Sequence, residues 1–224
     1  MGTTIVATPQ SGECRPFAVF SGTSCTNIPT NCTACDHIFE QNFSTDTWGS
    51  EFYVVPFSFA SSYTYRVMAH EDNTDIQIDG VPTFNLNAGE FEEFNDVGDV
   101  RCVTANKGIS VTQYMEGVSC AGSGDPAMLI LNDVSQKIDN ITFSTVNSTV
   151  ITEHGLNVII ESSEVGTLTL DGVQVDPNNF NQFPSCPDHS YAQLTLTEGS
   201  HTLNAPAGFT AYAYGTGNAE SYAY

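Results

Sequence analysis

Basic residues are nearly missing from this chain. Five Lys and Arg stand against 26 Asp and Glu, a formal net charge of −21. That deficit argues against nucleic acid and anionic membranes as partners, because both reward Lys and Arg. No run of about 20 apolar residues occurs, so no membrane insertion is expected. The opening Met1-Gly2-Thr3-Thr4-Ile5-Val6 lacks the basic start and long apolar core of a secretory signal. If the protein is exported, the chain is a piece of something longer. Helix-period stretches are essentially absent. There is no Gly-x-Ser-x-Gly elbow and no EF-hand loop, so neither hydrolase nor EF-hand chemistry has positive support. The expectation is a protein that is not an enzyme.

What is present is alternation. From Arg66 to Gly117, apolar and polar residues alternate between turn signals, the pattern of half-buried strands. A second copy starts near Leu156. Asp79-Gly80 matches Asp171-Gly172 at a spacing of 92, and Gly108 matches Gly208 at a spacing of 100. Pro16–Cys25 parallels Tyr114–Cys120, since Cys follows Gly by three residues in both. The predicted fold is all-β: two tandem jelly-roll-like β-sandwich units from an internal duplication, with a partial third repeat at the N-terminus. The units are residues 1–135 and 136–224.

The two Asp-Gly dipeptides predict type I′ hairpin turns, where Gly supplies positive φ at no steric cost. Asn106-Lys107-Gly108 predicts another tight turn. Residues 25–47 read as a stapled Ω-like loop, with one helical turn over Asp36–Gln41. Residues 176–190 read as a long loop and a candidate binding edge.

Seven cysteines (14, 25, 32, 35, 102, 120 and 186) suggest an oxidising compartment, and the odd count leaves at least one unpaired. Cys25 with Cys32 or Cys35 is the local pairing, and Cys102 with Cys120 is a further candidate because both flank one hairpin. Cys25, Cys32, Cys35 and His37 also have the ligand types of a Cys₃His zinc site, although disulfides suit an extracellular context better. Asn-x-Ser/Thr sequons at Asn31, Asn42, Asn140 and Asn147 are compatible with a secreted eukaryotic protein. They also arise by chance in a chain rich in Asn, Ser and Thr.

Several ordered blocks resemble the N-terminal domain family of IgGFc-binding proteins. They are Ala-Val-Phe-Ser-Gly (18–22), Cys-Asp-His-Ile-Phe-Glu-Gln (35–41) and Trp-Gly-Ser-Glu-Phe-Tyr-Val-Val-Pro (48–56). Tyr-Arg-Val-Met-Ala (65–69), Gly-Asp-Pro-Ala-Met (124–128) and Gly-Ser-His-Thr-Leu (199–203) continue the match. The resemblance implies an extracellular, secreted or cell-surface adhesive module of a larger protein. Cys14 and Cys186 fall outside the matching blocks.

The candidate ligand-binding residues are Asp36, His37 and Trp48 around the first loop, Asn178 and Asn179 in the second, and Tyr212 and Tyr214. The last two alternate with Tyr222 and Tyr224 along one face, as a glycan-stacking platform would. Glu71, Asp72, Asp75 and Asp125 are candidate Ca²⁺ ligands, because Ca²⁺ takes carboxylate oxygens. A solvated hairpin turn accounts better than an ion site for Glu71–Asp75. The expected partner is a glycoprotein, a mucin-type glycan or a surface protein. The rival expectation is a structural spacer that contacts neighbouring repeats and projects a distal adhesive domain.

Overall fold

The computed structural model describes residues 2–8, 12 and 16–224. In chain order the strands of the first half are β1 (Val19–Thr26), β2 (Asp36–Asn42), β3 (Gly49–Val54), β4 (Tyr63–Ala69), β5 (Thr74–Ile78), β6 (Val81–Leu86), β7 (Phe91–Asp96), β8 (Arg101–Met115) and β9 (Ala127–Ile130). The second half holds β10 (Ile138–Ser144), β11 (Ile151–Glu161), β12 (Thr169–Leu170), β13 (Val173–Gln174), β14 (Phe180–Gln182), β15 (His189–Leu196), β16 (Ser200–Gly217) and β17 (Glu220–Ala223). A four-residue helix, α1 (Val118–Ala121), follows β8. Among the described residues no helix is long and apolar enough to cross a membrane.

All-β is what the alternation predicts, and the two halves share one strand order. In the first sheet β8 pairs with β4, β5, β3 and β9, while β4 also pairs with β7 and β5 with β6. In the second, β16 pairs with β11, β12, β10 and β17, while β11 also pairs with β15 and β12 with β13. Strand β14 is an addition at the edge of β15. Each half is thus one curled antiparallel sheet, not a pair of stacked sheets. Among the described residues β1 pairs only with β2, in a separate two-stranded ribbon.

The sheets curl because their longest strands change partners midway. The start of β8 pairs with β3 and β5, and its end pairs with β4 and β9. The changeover lies at Asn106-Lys107-Gly108, the site of the predicted tight turn. The chain does not reverse there; it bends and continues. Strand β16 does the same at 205–208, where Pro206 is tolerated because no ladder N–H is needed at a changeover.

The two sheets bury a common core. Phe52, Tyr63, Tyr65, Val111 and Leu129 of the first half pack in one cluster with Ile159, Phe183, Tyr212 and Tyr214 of the second. Strand β11 is buried on both faces: Ile159 points into that cluster, while Leu156, Val158 and Ile160 enter a second cluster with Leu168, Leu203 and Phe209. Asn157, on the first of these faces, donates to Val55 O at 3.1 Å and Pro56 O at 3.0 Å. Gln113 and Gln193 donate to the same two carbonyls from the two sheets. A buried segment without ladder partners is therefore satisfied from both halves, as buried carbonyls require.

Residues 131–137 connect the sheets, and Asp133 fixes that crossing. It accepts from the backbone N–H groups of Ser50, Glu51 and Ser135 and from the Ser135 hydroxyl. Gly49 has to be glycine, since a Cβ there would lie 1.9 Å from Asp133 Oδ2.

Three disulfides join the parts. Cys25–Cys35 closes the ribbon, Cys32–Cys120 ties its loop to α1, and Cys102–Cys186 links β8 to the second half. The first is one of the two predicted local pairings. The predicted Cys102–Cys120 bond does not form, because β8 continues past 106–108 without reversing and leaves Cys102 at its start and Cys120 beyond its far end, in α1. At about 3.3 Å per residue that separation is far beyond disulfide reach. Cys14 lies outside the described residues.

Candidate functional site

The ribbon departs most from expectation. Asp36–Gln41 is not a helical turn but most of β2, and its residues alternate: Asp36, Ile38 and Glu40 are half-buried, whereas His37, Phe39 and Gln41 are exposed. On the outer face Phe39 stacks on Phe20 with centroids 5.8 Å apart and planes 8° apart, at 62% and 55% exposure. The inner face turns Glu40 toward the two sheets.

Where the ribbon meets both sheets, a groove of about 190 Å³ opens. Glu40 and Phe43 form one wall. Leu129, Ile130 and Asn132, at and just beyond β9, form another, and Ala211, Tyr212 and the terminal Tyr224 close it from the second sheet. Tyr212 is held as the floor, its hydroxyl accepting from Asn132 N–H at 2.8 Å. Tyr224 is pinned by reciprocal backbone bonds with Ala213, and its hydroxyl donates to Ser144 O. Burial pushes the Glu40 carboxyl above the usual carboxylate range, with the Gln41 N–H opposing the shift. The groove is smaller than typical drug-sized pockets of roughly 300–1,000 Å³, so it suits one ring or one side chain. Aromatic faces beside a carboxylate and an amide supply stacking and hydrogen bonding within one small space.

Of the sequence-predicted ligand residues, only Tyr212 lines this groove. Tyr214 is fully buried, donating to Asn157 Oδ1 at 3.0 Å and accepting from Ser58 N–H. With Tyr212 at 5% exposure, these rings are core and floor, not an exposed platform. Asp36 accepts from the N–H of His37 at 2.6 Å and lies 3.0 Å from its ring Nδ1. Trp48 packs edge-on against His70. Asn178 and Asn179 sit in a short 3₁₀ turn capped by Asp176. The structure does not bring these residues together.

The Ca²⁺ candidates also lie apart. Asp75 accepts from Asn85 and Asn106, Asp72 accepts from Ala88 N–H, and Glu71 O accepts from Thr74, so the 71–75 turn is closed by its own hydrogen bonds. Asp125 stands alone, buried at the other end of the first half. The Cys₃His zinc set is spent, because all three of its cysteines are in disulfides. Glu40, Phe43 and Asn132 line the groove without being among the sequence-predicted ligand residues. The signal for Glu40 is the alternation of Asp36, Ile38 and Glu40, legible only once the segment is read as a strand.

The three disulfides are those of a protein matured in an oxidising compartment. Among curated proteins, the chain is 26% identical over 219 residues to the human IgGFc-binding protein, covering 93% of this chain but only 4% of that protein. No solved structure matches. The family model described as IgGFc binding protein matches residues 1–215, nearly the whole chain. The chain belongs to the IgGFc-binding protein family.

Proposed function

We propose that this chain is an extracellular ligand-binding module of a larger adhesive protein, and that its groove takes a neutral sugar ring of a glycoprotein or mucin-type glycan. The observation that carries the reading is the groove itself, with Phe43, Tyr212 and Tyr224 around one carboxylate and one amide. The C–H face of a sugar stacks on aromatic rings, and its hydroxyls pair with Glu40 and Asn132. The net charge of −21 disfavours sialylated or sulfated glycans. The common strand order of the two sheets supports their origin in one duplicated unit. The reading is of a binding protein and assigns no reaction.

The relative's name specifies IgG Fc, so Fc belongs in the test panel beside mucin glycopeptides and a glycan array. The expected result is saturable binding to neutral glycans, weakened roughly five- to tenfold by Tyr224→Ala or Phe43→Ala, since a stacking contact contributes about 1 kcal/mol. Binding that these variants leave unchanged would place the site elsewhere.

A spacer role is the second reading, favoured by the exposed Phe20–Phe39 stack, which suits a neighbouring domain, and by the small share of its relative that the chain spans. It predicts silence across the panel and altered inter-domain stability on Phe39→Ser.

A further inference from the structure

The equivalence of the two halves extends to their outer strands and fails at one edge. Phe91 stands opposite Met68 as Tyr191 stands opposite Ile159, and those partners stand opposite Ser110 and Thr210. Ser110 and Thr210 each lie two residues past the matched Gly108 and Gly208, so Phe91 and Tyr191 are counterparts. At Tyr191 the edge is closed. Strand β14 pairs with Ser190, Tyr191 and Ala192, and Phe183 packs on the Tyr191 ring with centroids 5.0 Å apart. At Phe91 the edge is open, for among the described residues β7 pairs with β4 alone. The bonds at its start decide which groups are left over. Ala69 N–H donates to Glu90 O at 3.1 Å, so alternation turns the main chain of Glu92 and Phe94 toward β4 and that of Phe91, Glu93 and Asn95 outward. Acidic side chains line this edge: Glu90, Glu92 and Glu93. Arg66 answers Glu93 at 2.7 Å, and Glu92 is exposed without an ion pair among the described residues.

We propose that the outer edge of β7 is a strand-addition site, and that its occupant is an extended, basic segment of a partner protein, laid antiparallel as β14 is on β15. In strand addition the main-chain bonds supply affinity and the alternate side chains supply choice. Here Phe91, Glu93 and Asn95 offer the main-chain groups. In the antiparallel register of β14, consecutive residues of the segment stand opposite Glu92, Phe91 and Glu90, so the fitting pattern is basic, apolar, basic. The basic pair meets two carboxylates, and the apolar residue covers a ring that is 38% exposed. Charge on an edge strand also blocks pairing between like copies. With −21 on each chain a second copy is repelled at this edge, whereas a basic strand is drawn to it. None of these residues lines the groove, so this inference stands independently of the sugar reading.

The test uses the full chain and a capped synthetic peptide, Thr-Val-Lys-Val-Lys-Val-Thr, with a second peptide carrying Glu in place of both Lys. Calorimetric titration and amide hydrogen exchange are read for wild type, Glu92→Gln and Phe91→Pro. The lysine peptide is expected to bind wild type saturably, more weakly as salt rises, and to slow exchange at Phe91, Glu93 and Asn95. The glutamate peptide should not bind. Glu92→Gln, an exposed change that spares the fold, should weaken binding about two- to fivefold, since a cross-strand ion pair is lost. Phe91→Pro should abolish it, because proline is tolerated at an edge yet removes an outward N–H. No binding in wild type would overturn the site, as would binding that both variants leave unchanged. Exchange at those three amides that is already slow in the free chain would also overturn it. Release on removing residues 2–8, whose Gly2 lies against Gly89, would then name this chain's own segment as the occupant, and release on dilution a second copy.

Discussion

The Asp79-Gly80 and Asp171-Gly172 turns dock on equivalent strands with different cations. Asp79 exchanges backbone bonds with Cys102: its N–H donates to Cys102 O, and its Oδ1 accepts from Cys102 N–H at 3.0 Å. Asp171 does the same with Thr202, at 2.8 Å in both directions. The second carboxylate oxygen meets the preceding residue, which is Arg101 in the first half and His201 in the second. Arg101 is shared with Asp96 and Asp99 and is always charged. His201 is buried, with Nδ1 facing Asp171 Oδ2 at 2.8 Å and Nε2 facing Thr197 O at 2.9 Å. Both partners accept, so the surroundings favour the protonated ring, which can donate from both nitrogens. One architecture is thus held by a permanent cation in one half and a titratable one in the other.

The first turn also docks beside a crosslink between the halves, since Cys102 bonds Cys186 whereas its counterpart Thr202 bonds nothing covalently. Removing it should have the largest effect. Cys102→Ser with Cys186→Ser is expected to cost about 4 kcal/mol in urea unfolding, because the bond closes a loop of 84 residues. Asp79→Ala comes next, at about 2 kcal/mol, for it strands a buried N–H and one arm of Arg101. Asp171→Ala should cost about 1 kcal/mol or less, since its side chain is 47% exposed and water screens the pair. Equal losses would mean that the shared geometry, not the cation, sets the strength.

Gly80 and Gly172 have φ of +76° and +77° with open space around each. Ala at either should cost about 1 kcal/mol, alike in both halves, through backbone strain alone. A large difference between them would break the equivalence.

The smallest expected effect is on pH dependence. Burial opposes the charge on His201, but the Thr197 carbonyl and the Asp171 carboxylate outweigh it and raise its pKa. Its contribution is complete below about 6.5 and is lost as pH rises through the raised folded value. Asp171, lowered by His201 and the Thr202 N–H, contributes above about 3.9 and loses that as pH falls through its folded value. Melts between about pH 5 and 9 should therefore decline on the alkaline side in wild type and flatten there in His201→Gln. The same decline in that variant would assign it to another group.

This comparison also shows where the sequence is legible. Asp79-Gly80 and Asp171-Gly172 have backbone demands that only a few residues meet, so composition alone exposes them. Asn106-Lys107-Gly108 and Ala205–Gly208 satisfy the same local rules, yet they bend a strand; a reversal and a change of partner use the same residues. In β2 the exposed Phe39 sits beside inward Ile38 and blurs the alternation that marks a strand. Cys102–Cys186 and the groove depend on residues brought together from distant segments, and no local pattern encodes that meeting. Asp133 and Asp125 look alike in sequence, and only the surrounding donors separate them.

The central claim is that two sheets of common strand order are closed on one core, with the groove at their junction. It is tested most directly by unfolding the full chain in urea while recording two signals. Fluorescence of Trp48, the single tryptophan, reports the first half, and amide exchange along β16 reports the second. Coincident midpoints are predicted, since Tyr212, Tyr214 and Ile159 lose their packing when the first sheet goes. Two separate midpoints, with β16 protected after Trp48 is exposed, would contradict the shared core.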